Sequence, residues 1–321
     1  MRICQLGHVF SLPPKGYAGV ERVMTWWIEE LRARGHHVTL ISNGDDSISV
    51  DRLIKKDFSN LVDSFARPLS LVDDIDVVHD NNDSHNPSPE RWRRPYIYTV
   101  HAMVHTGNPN PVFLSFNQAR FFGKTDPVVV HNGFRISEYE VCSKKDDFFL
   151  WCGAIRSCKN PVTVIDACRE TRQKLKIIGP IQSHDLIWIG SLKGDVEYLG
   201  EMGIQRLDYF KLAKGFIYTF SKGWVEGFNL TNVEALLSGT AVLAMWDETN
   251  SIVKEQGIEH GKTGLLVHRD DKEGLYSALR NWDRIDFSSR RCRISGEQFD
   301  VKHTVDKYEQ LYIRAIEGER W

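Results

Sequence analysis

The sequence predicts an α/β protein built from two Rossmann-like domains in series, facing across a cleft. Three observations carry this reading. At 321 residues the chain exceeds the usual size of a single core. Short segments that are apolar on both parities alternate with segments of helical period, as expected for parallel strands covered on both faces. That rhythm breaks once, at the charged stretch SEYEVCSKKDD (137–147), and then restarts. The expected domains are therefore residues 1–140 and 141–302, with a final helix over 303–321 packing back on the first domain.

The elements follow in order. Arg2–Leu6 is an apolar strand that enters the loop GHVFSLPPKGYAG. Val20, Val23, Met24, Trp27, Ile28 and Leu31 recur at helical spacing from Val20 to about Arg34, and Gly35 ends the helix. HVTLIS is the next strand, with further strands at IDVVHD (75–80), YIYTVH (96–101) and PVVVHN (127–132). DNNDSHNPSPE (80–90) reads as a polar surface loop. In the second half FFLWCGAI, LKIIGP, VEYLG, GFIYTF, TAVLAM and TGLLVH read as strands. Helices are expected at Pro161–Gln173, at about Ile204–Ala213 and from near Leu230. The last helix, about His303 to Ile316, carries an apolar stripe of Val305, Tyr308, Leu311, Tyr312 and Ala315.

Composition narrows the function classes. Hydrophobic residues at 41% and charged residues at 26% are ordinary for a soluble globular enzyme. A formal charge of −2 provides no global attraction to nucleic acid or anionic lipid. The local clusters Arg91, Arg93, Arg94 and Arg290, Arg291, Arg293 read as solvated surface charge. No apolar run approaches the roughly 18 residues that span a membrane, and MRICQLGHVF reads as a strand rather than a signal peptide. The six cysteines are scattered without a CxxC pair, which suits reduced thiols and a cytoplasmic address.

Common chemical signatures are missing. The first loop is neither a Walker A sequence nor a G-x-G-x-x-G fingerprint, and no G-x-S-x-G elbow or Cys/His dyad stands out. Asp74, Asp76, His79, Asp80, Asp83 and His85 could offer ligands to a divalent cation, but lack the spacing of a zinc site. No metal site is expected.

The segment EGFNLTNVE (226–234) is more informative. Glu226 falls in a loop after a strand, and Glu234 falls inside the following helix. Eight residues of helix would cover roughly 12 Å, an upper bound because part of the segment is loop. Amides near Asn229 to Asn232 would be free donors at a helix N-terminus, suited to a diphosphate. Carboxylates accept paired hydrogen bonds from sugar hydroxyls. Read alone, the segment fits equally well a solvent-facing Glu226 and a Glu234 that only supports its helix.

EGFNLTNVEALLSGTAV resembles the Glu-x7-Glu signature of retaining glycosyltransferases of family 4, which have the GT-B fold. PPKGYAGVERV (13–23), DVVHD (76–80), TVH (99–101), HNGF (131–134), GAIRSCKNP (153–161) and HGKTGLLV (260–267) are similar, in order, to other segments of that family. The resemblance implies transfer of a sugar from a nucleoside diphosphate donor to a hydroxyl acceptor, without a metal or other cofactor. It implies that Glu226 binds donor-sugar hydroxyls and Glu234 the ribose. Asn229 and Leu230 would offer amides to the diphosphate, with Gly227, Phe228 and Thr231 beside them. Gly153 would open the phosphate loop, Lys159 would neutralise the leaving group, and Gly19 would approach the diphosphate. His101 would contact the sugar near its reacting centre.

Two departures matter. Ala154 stands where the family usually has Arg, so Arg156 is the expected substitute, with a surface position as its other reading. The usual glycine pair of the first loop is Ala18-Gly19 here. His79 and His101 also fit as satisfied core histidines, and Trp26, Trp27, Phe121 and Phe122 as packing. A sugar-nucleotide epimerase, a catalytically decayed glycan-binding relative and a modified nucleic acid as acceptor are the other functions the sequence leaves open.

Overall fold

The computed structural model describes residues 1–16, 18–59, 63–82, 89–104 and 107–321. The chain divides into two compact units, Met1–Arg135 with Phe299–Trp321, and Ile136–Gln298.

The first unit contains β1 (Arg2–Leu6), α1 (Gly19–Ala33), β2 (His37–Ser42), β3 (Arg52–Lys55), α2 (Ala66–Ser70), β4 (Val77–Asp80), β5 (Tyr96–Val100), β6 (Pro111–Phe113) and α3 (Phe116–Phe121). Its six strands are parallel in the order β3-β2-β1-β4-β5-β6. The order reverses direction at β1, which places the switch point of a doubly wound sheet beside the β1 and β4 ends. Val23, Trp27 and Leu31 are fully or almost fully buried, as the helical spacing requires. Gly35, at φ +84°, takes the left-handed position that closes α1, and the His36 amide donates back to Leu31 O at 3.1 Å.

The second unit contains β7 (Asp146–Cys152), α4 (Pro161–Thr171), β8 (Leu175–Ile178), β9 (Val196–Tyr198), α5 (Arg206–Leu212), β10 (Ala213–Tyr218), α6 (Leu230–Leu237), β11 (Val242–Trp246), β12 (Gly264–His268), α7 (Lys272–Asn281) and α8 (Ser289–Glu297). Its parallel order is β12-β11-β10-β7-β8-β9. The last helix, α9 (Val301–Ile316), belongs to the first unit and packs on α1, β4 and β5. Gly133 permits its approach: a Cβ there would lie 2.6 Å from Val301 Cα and 2.5 Å from Thr304 Oγ1. The glycine of HNGF thus serves close packing, since its φ is not positive.

Some sequence readings need correction. PVVVHN does not form a strand; Val129 makes a single bridge to Phe113 at the sheet edge. Arg91 is fully buried, donating to both carboxylate oxygens of Asp63 and, at 2.5 Å, to Asp80. A guanidinium can be fully buried when its donors are matched in this way. Arg293 is likewise structural, donating to the carbonyls of Ile136, Tyr139 and Leu237. Asp83 and His85 lie outside the described residues. Asp80, also proposed as a ligand donor, is taken by Arg91 and by the Tyr96 hydroxyl at 2.7 Å. Among the described residues no helix is long and apolar enough to cross a membrane.

Candidate active site

The second unit gathers most of the residues singled out in the sequence. β7 ends at Cys152 and the chain passes through Gly153 into a short turn, Ser157–Lys159. Asn160, at φ +51°, then caps α4, its side chain accepting from the Thr163 amide. This turn is laced to the loop after β10. The Ser221 amide donates to Cys158 O at 2.9 Å, and its hydroxyl to Ser157 O at 2.6 Å. Thr219 Oγ1 lies 2.9 Å from Lys159 O and 3.0 Å from Asn160 O, and itself accepts from Trp151 Nε1.

This lacing brings together Lys159 and Glu226, 67 positions apart, and their side chains form an ion pair. Both are largely buried, with side chains 18% and 13% exposed. The indole of Trp224 lies below the ammonium at 5.7 Å and donates to Glu226 Oε2 at 3.4 Å. Beneath the pair, Tyr218 is held neutral, its pKa pushed well above ordinary by burial first and by the Glu226 charge second.

Glu226 is followed at once by the start of α6. Asn229 is its N-cap, accepting from the Asn232 amide at 3.0 Å and from the Thr231 hydroxyl at 2.7 Å. Gln256 fixes this corner, donating to Asn229 O at 2.7 Å and accepting from Asn232 Nδ2 at 2.9 Å. Gly227, Phe228 and Asn229 are buried, while Leu230 and Thr231 are partly exposed at the helix start. A carboxylate, an ammonium and a helix N-terminus are therefore contiguous.

Glu234 lies one turn into α6 and is 1% exposed. Arg206, at the start of α5, donates to both of its oxygens, and the Tyr139 hydroxyl adds a third bond at 3.2 Å. Burial opposes the Arg206 charge, but the adjacent carboxylate outweighs it and keeps the guanidinium protonated. Arg206 was not legible as a site residue, because it reads as an ordinary helix start. Arg156 is exposed and donates to Gln182 Oε1 at 2.5 Å. Ala154 is buried.

The first unit supplies a separate cluster at its strand ends. His101 follows β5; its ring stacks on Trp27 at 6.0 Å and meets the His8 ring edge-on at 5.9 Å. Glu21, 2% exposed, accepts at one oxygen from His8 Nδ1 at 3.1 Å and from the Val9 and Phe10 amides at 2.9 and 2.8 Å. Burial alone would raise the Glu21 carboxyl, yet these donors prevail and lower it to about 2. The carboxylate so fastens the loop after β1 to α1, whose first residue is Gly19. His79 is fully buried, with hydrogen bonds at both ring nitrogens, so it is a core histidine. Trp26 and Trp27 are also packing residues, whereas Phe121 is exposed.

Comparison with known proteins places this geometry in a family. Residues 135–298, half of the chain, match the model of glycosyl transferases group 1, and the chain belongs to that family. The O-antigen chain mannosyltransferase C of Escherichia coli is 22% identical over 217 residues, 62% of this chain. The match spans 54% of that relative, about half its length. Among solved structures, AviGT4, a glycosyltransferase involved in avilamycin A biosynthesis, superposes with a TM-score of 0.80 at 20% identity, covering 100% of this chain and 99% of its own. Anabaena HepE in complex with UDP-glucose gives a TM-score of 0.72 at 16% identity, covering 97% and 99%. Likenesses at such identity establish the fold: two Rossmann-like α/β units of the GT-B type.

Proposed function

We propose that the chain is a glycosyltransferase that moves a sugar from a nucleoside diphosphate sugar to a hydroxyl acceptor, with retention of configuration and without a metal. The observation that carries this reading is the Lys159–Glu226 pair at the start of α6. A donor needs a cation and backbone donors for its diphosphate, and an acceptor group for its sugar hydroxyls. The pair and the helix start offer these side by side. HepE, with a similar fold, has been solved with UDP-glucose, which supports a donor of this class.

In this reading Lys159 and the amides at Asn229 and Leu230 stabilise charge growing on the departing diphosphate. Glu226 exchanges its bond to Lys159 for the donor-sugar hydroxyls. Glu234 receives the ribose while still held by Arg206. Gly153, Gly227, Phe228 and Thr231 shape the diphosphate side, Gly19 lets the first loop approach, and His101 contacts the sugar. Arg156 reaches the leaving group by releasing Gln182.

The test is a panel of UDP-, GDP- and ADP-sugars read by calorimetry and thermal shift, followed by an acceptor screen. Binding of one donor, turnover that survives a chelator and an unchanged anomeric configuration by NMR are expected. Failure of every nucleotide sugar to bind sinks the reading.

A further inference from the structure

We propose that Asn81 is a positioning residue that fixes the proton of His101 on Nε2. Asn81 follows β4 and is fully buried. Its Nδ2 donates to Gln5 Oε1 at 2.9 Å, which turns its Oδ1 toward His101, 3.2 Å from Nε2. Gln5 Nε2 lies 3.2 Å from the Tyr312 hydroxyl on α9 and 3.3 Å from His79 Nδ1, and Asn81 Nδ2 also donates to the His79 carbonyl at 3.4 Å. The Tyr312 hydroxyl also meets His79 Nδ1 at 2.9 Å, and His79 Nε2 meets Thr99 Oγ1 at 2.7 Å.

The chain of donors and acceptors leaves little choice. An amide oxygen only accepts, so the His101 nitrogen facing it must carry the hydrogen. A flipped amide would set its oxygen against the His79 carbonyl, which only accepts. Trp27 and His8 flank the ring and oppose its rotation. His79 stays neutral, since burial first and the neighbouring His101 second hold its pKa well below ordinary. Gln5, His79, Asn81, Thr99 and Tyr312 are thus uncharged and buried, a setting in which hydrogen-bond arrangements are specified strongly.

In the neutral ring Nδ1 then holds the lone pair. In that neutral form the ring would act toward a substrate hydroxyl as an acceptor. That step rests on the transfer reading above; the tautomer does not.

The experiment uses the full chain with 15N-labelled histidine and long-range 1H–15N correlation, with His101 signals assigned by their loss in His101→Gln. The wild type should show the Nε2–H form. Asn81→Leu should move the tautomer ratio toward Nδ1–H by roughly fivefold, the equivalent of one net hydrogen bond. Asn81→Ala removes the same acceptor with a smaller side chain and should give the same shift, so it carries the test if the leucine variant does not fold. An unchanged ratio in Asn81→Leu, or in Asn81→Ala where the leucine variant does not fold, overturns the proposal. With a nucleotide sugar that the wild type turns over, Asn81→Leu should lower kcat while donor affinity stays within about twofold. A wild type that turns over no nucleotide sugar overturns the transfer reading alone, and the tautomer ratios still decide the role of Asn81.

Discussion

Replacing Glu21 with Gln tests how the first loop is held. The carboxyl is 2% exposed and is lowered from 4.5 to about 2, with burial opposing and the His8 and backbone bonds favouring the charged form. Such a displacement corresponds to about 3 kcal/mol of stability at neutral pH. The sign follows from the direction. A carboxyl depressed by folding stabilises above its unfolded value near 4.5, and loses that contribution as pH falls through its folded value near 2. Urea unfolding of wild type and Glu21→Gln from pH 7 to pH 2.5 measures it directly. The stability difference between the two should be largest near neutrality and shrink steadily below about pH 4.5. A difference that stays constant across this range refutes the argument that the charge, rather than the shape of the side chain, secures the loop.

Three other outcomes follow from the geometry. Lys159→Ala should lower donor turnover by about 100-fold, the scale of losing one charge-stabilising group, measured with the donor found in the binding panel. Arg206→Met strands the Glu234 carboxylate in the core, so calorimetry should show the second unit weakened by about 3–5 kcal/mol, and Arg206→Met with Glu234→Leu should recover most of that loss. Gly133→Ala forces its Cβ against Val301 and Thr304; α9 should be displaced at a cost of about 1–3 kcal/mol, visible as faster amide exchange along that helix.

Much of the fold was legible because its strands are buried and its helices are amphipathic. The segment RLIK escaped notice since β3 is an edge strand with mostly exposed residues, and edge strands lack a continuous apolar run. PVVVHN has that run, but it lies beyond the three-residue β6 at the sheet edge and closes only one bridge. The α8 sequence SRRCRISGE has few apolar positions; Cys292 and Gly296 are its buried residues. In the site, Glu226 and Glu234 announced themselves by local sequence. Lys159 was singled out as well, through GAIRSCKNP, but its pairing with Glu226 was not, and Arg206 was missed. Lys159 reaches Glu226 through the Ser221 and Thr219 bonds, and Arg206 reaches Glu234 across 28 positions. Tertiary hydrogen bonds of this kind leave no periodic trace in sequence.

The return of α9 to the first unit has a temporal meaning. Ile136–Gln298 is continuous in the chain, whereas the first unit is interrupted and is completed by residues 299–321. During synthesis from the N-terminus, the half bearing Lys159 and Glu226 has all its residues before the half bearing His101 does. Tyr308 and Tyr312, which finish the hydrogen-bond chain behind His79, come with the last segment of that unit. A chain cut short before α9 would therefore retain the residues proposed to grip a donor while lacking the support beneath His101. Completion of the surroundings of His101 is tied to arrival of the final helix.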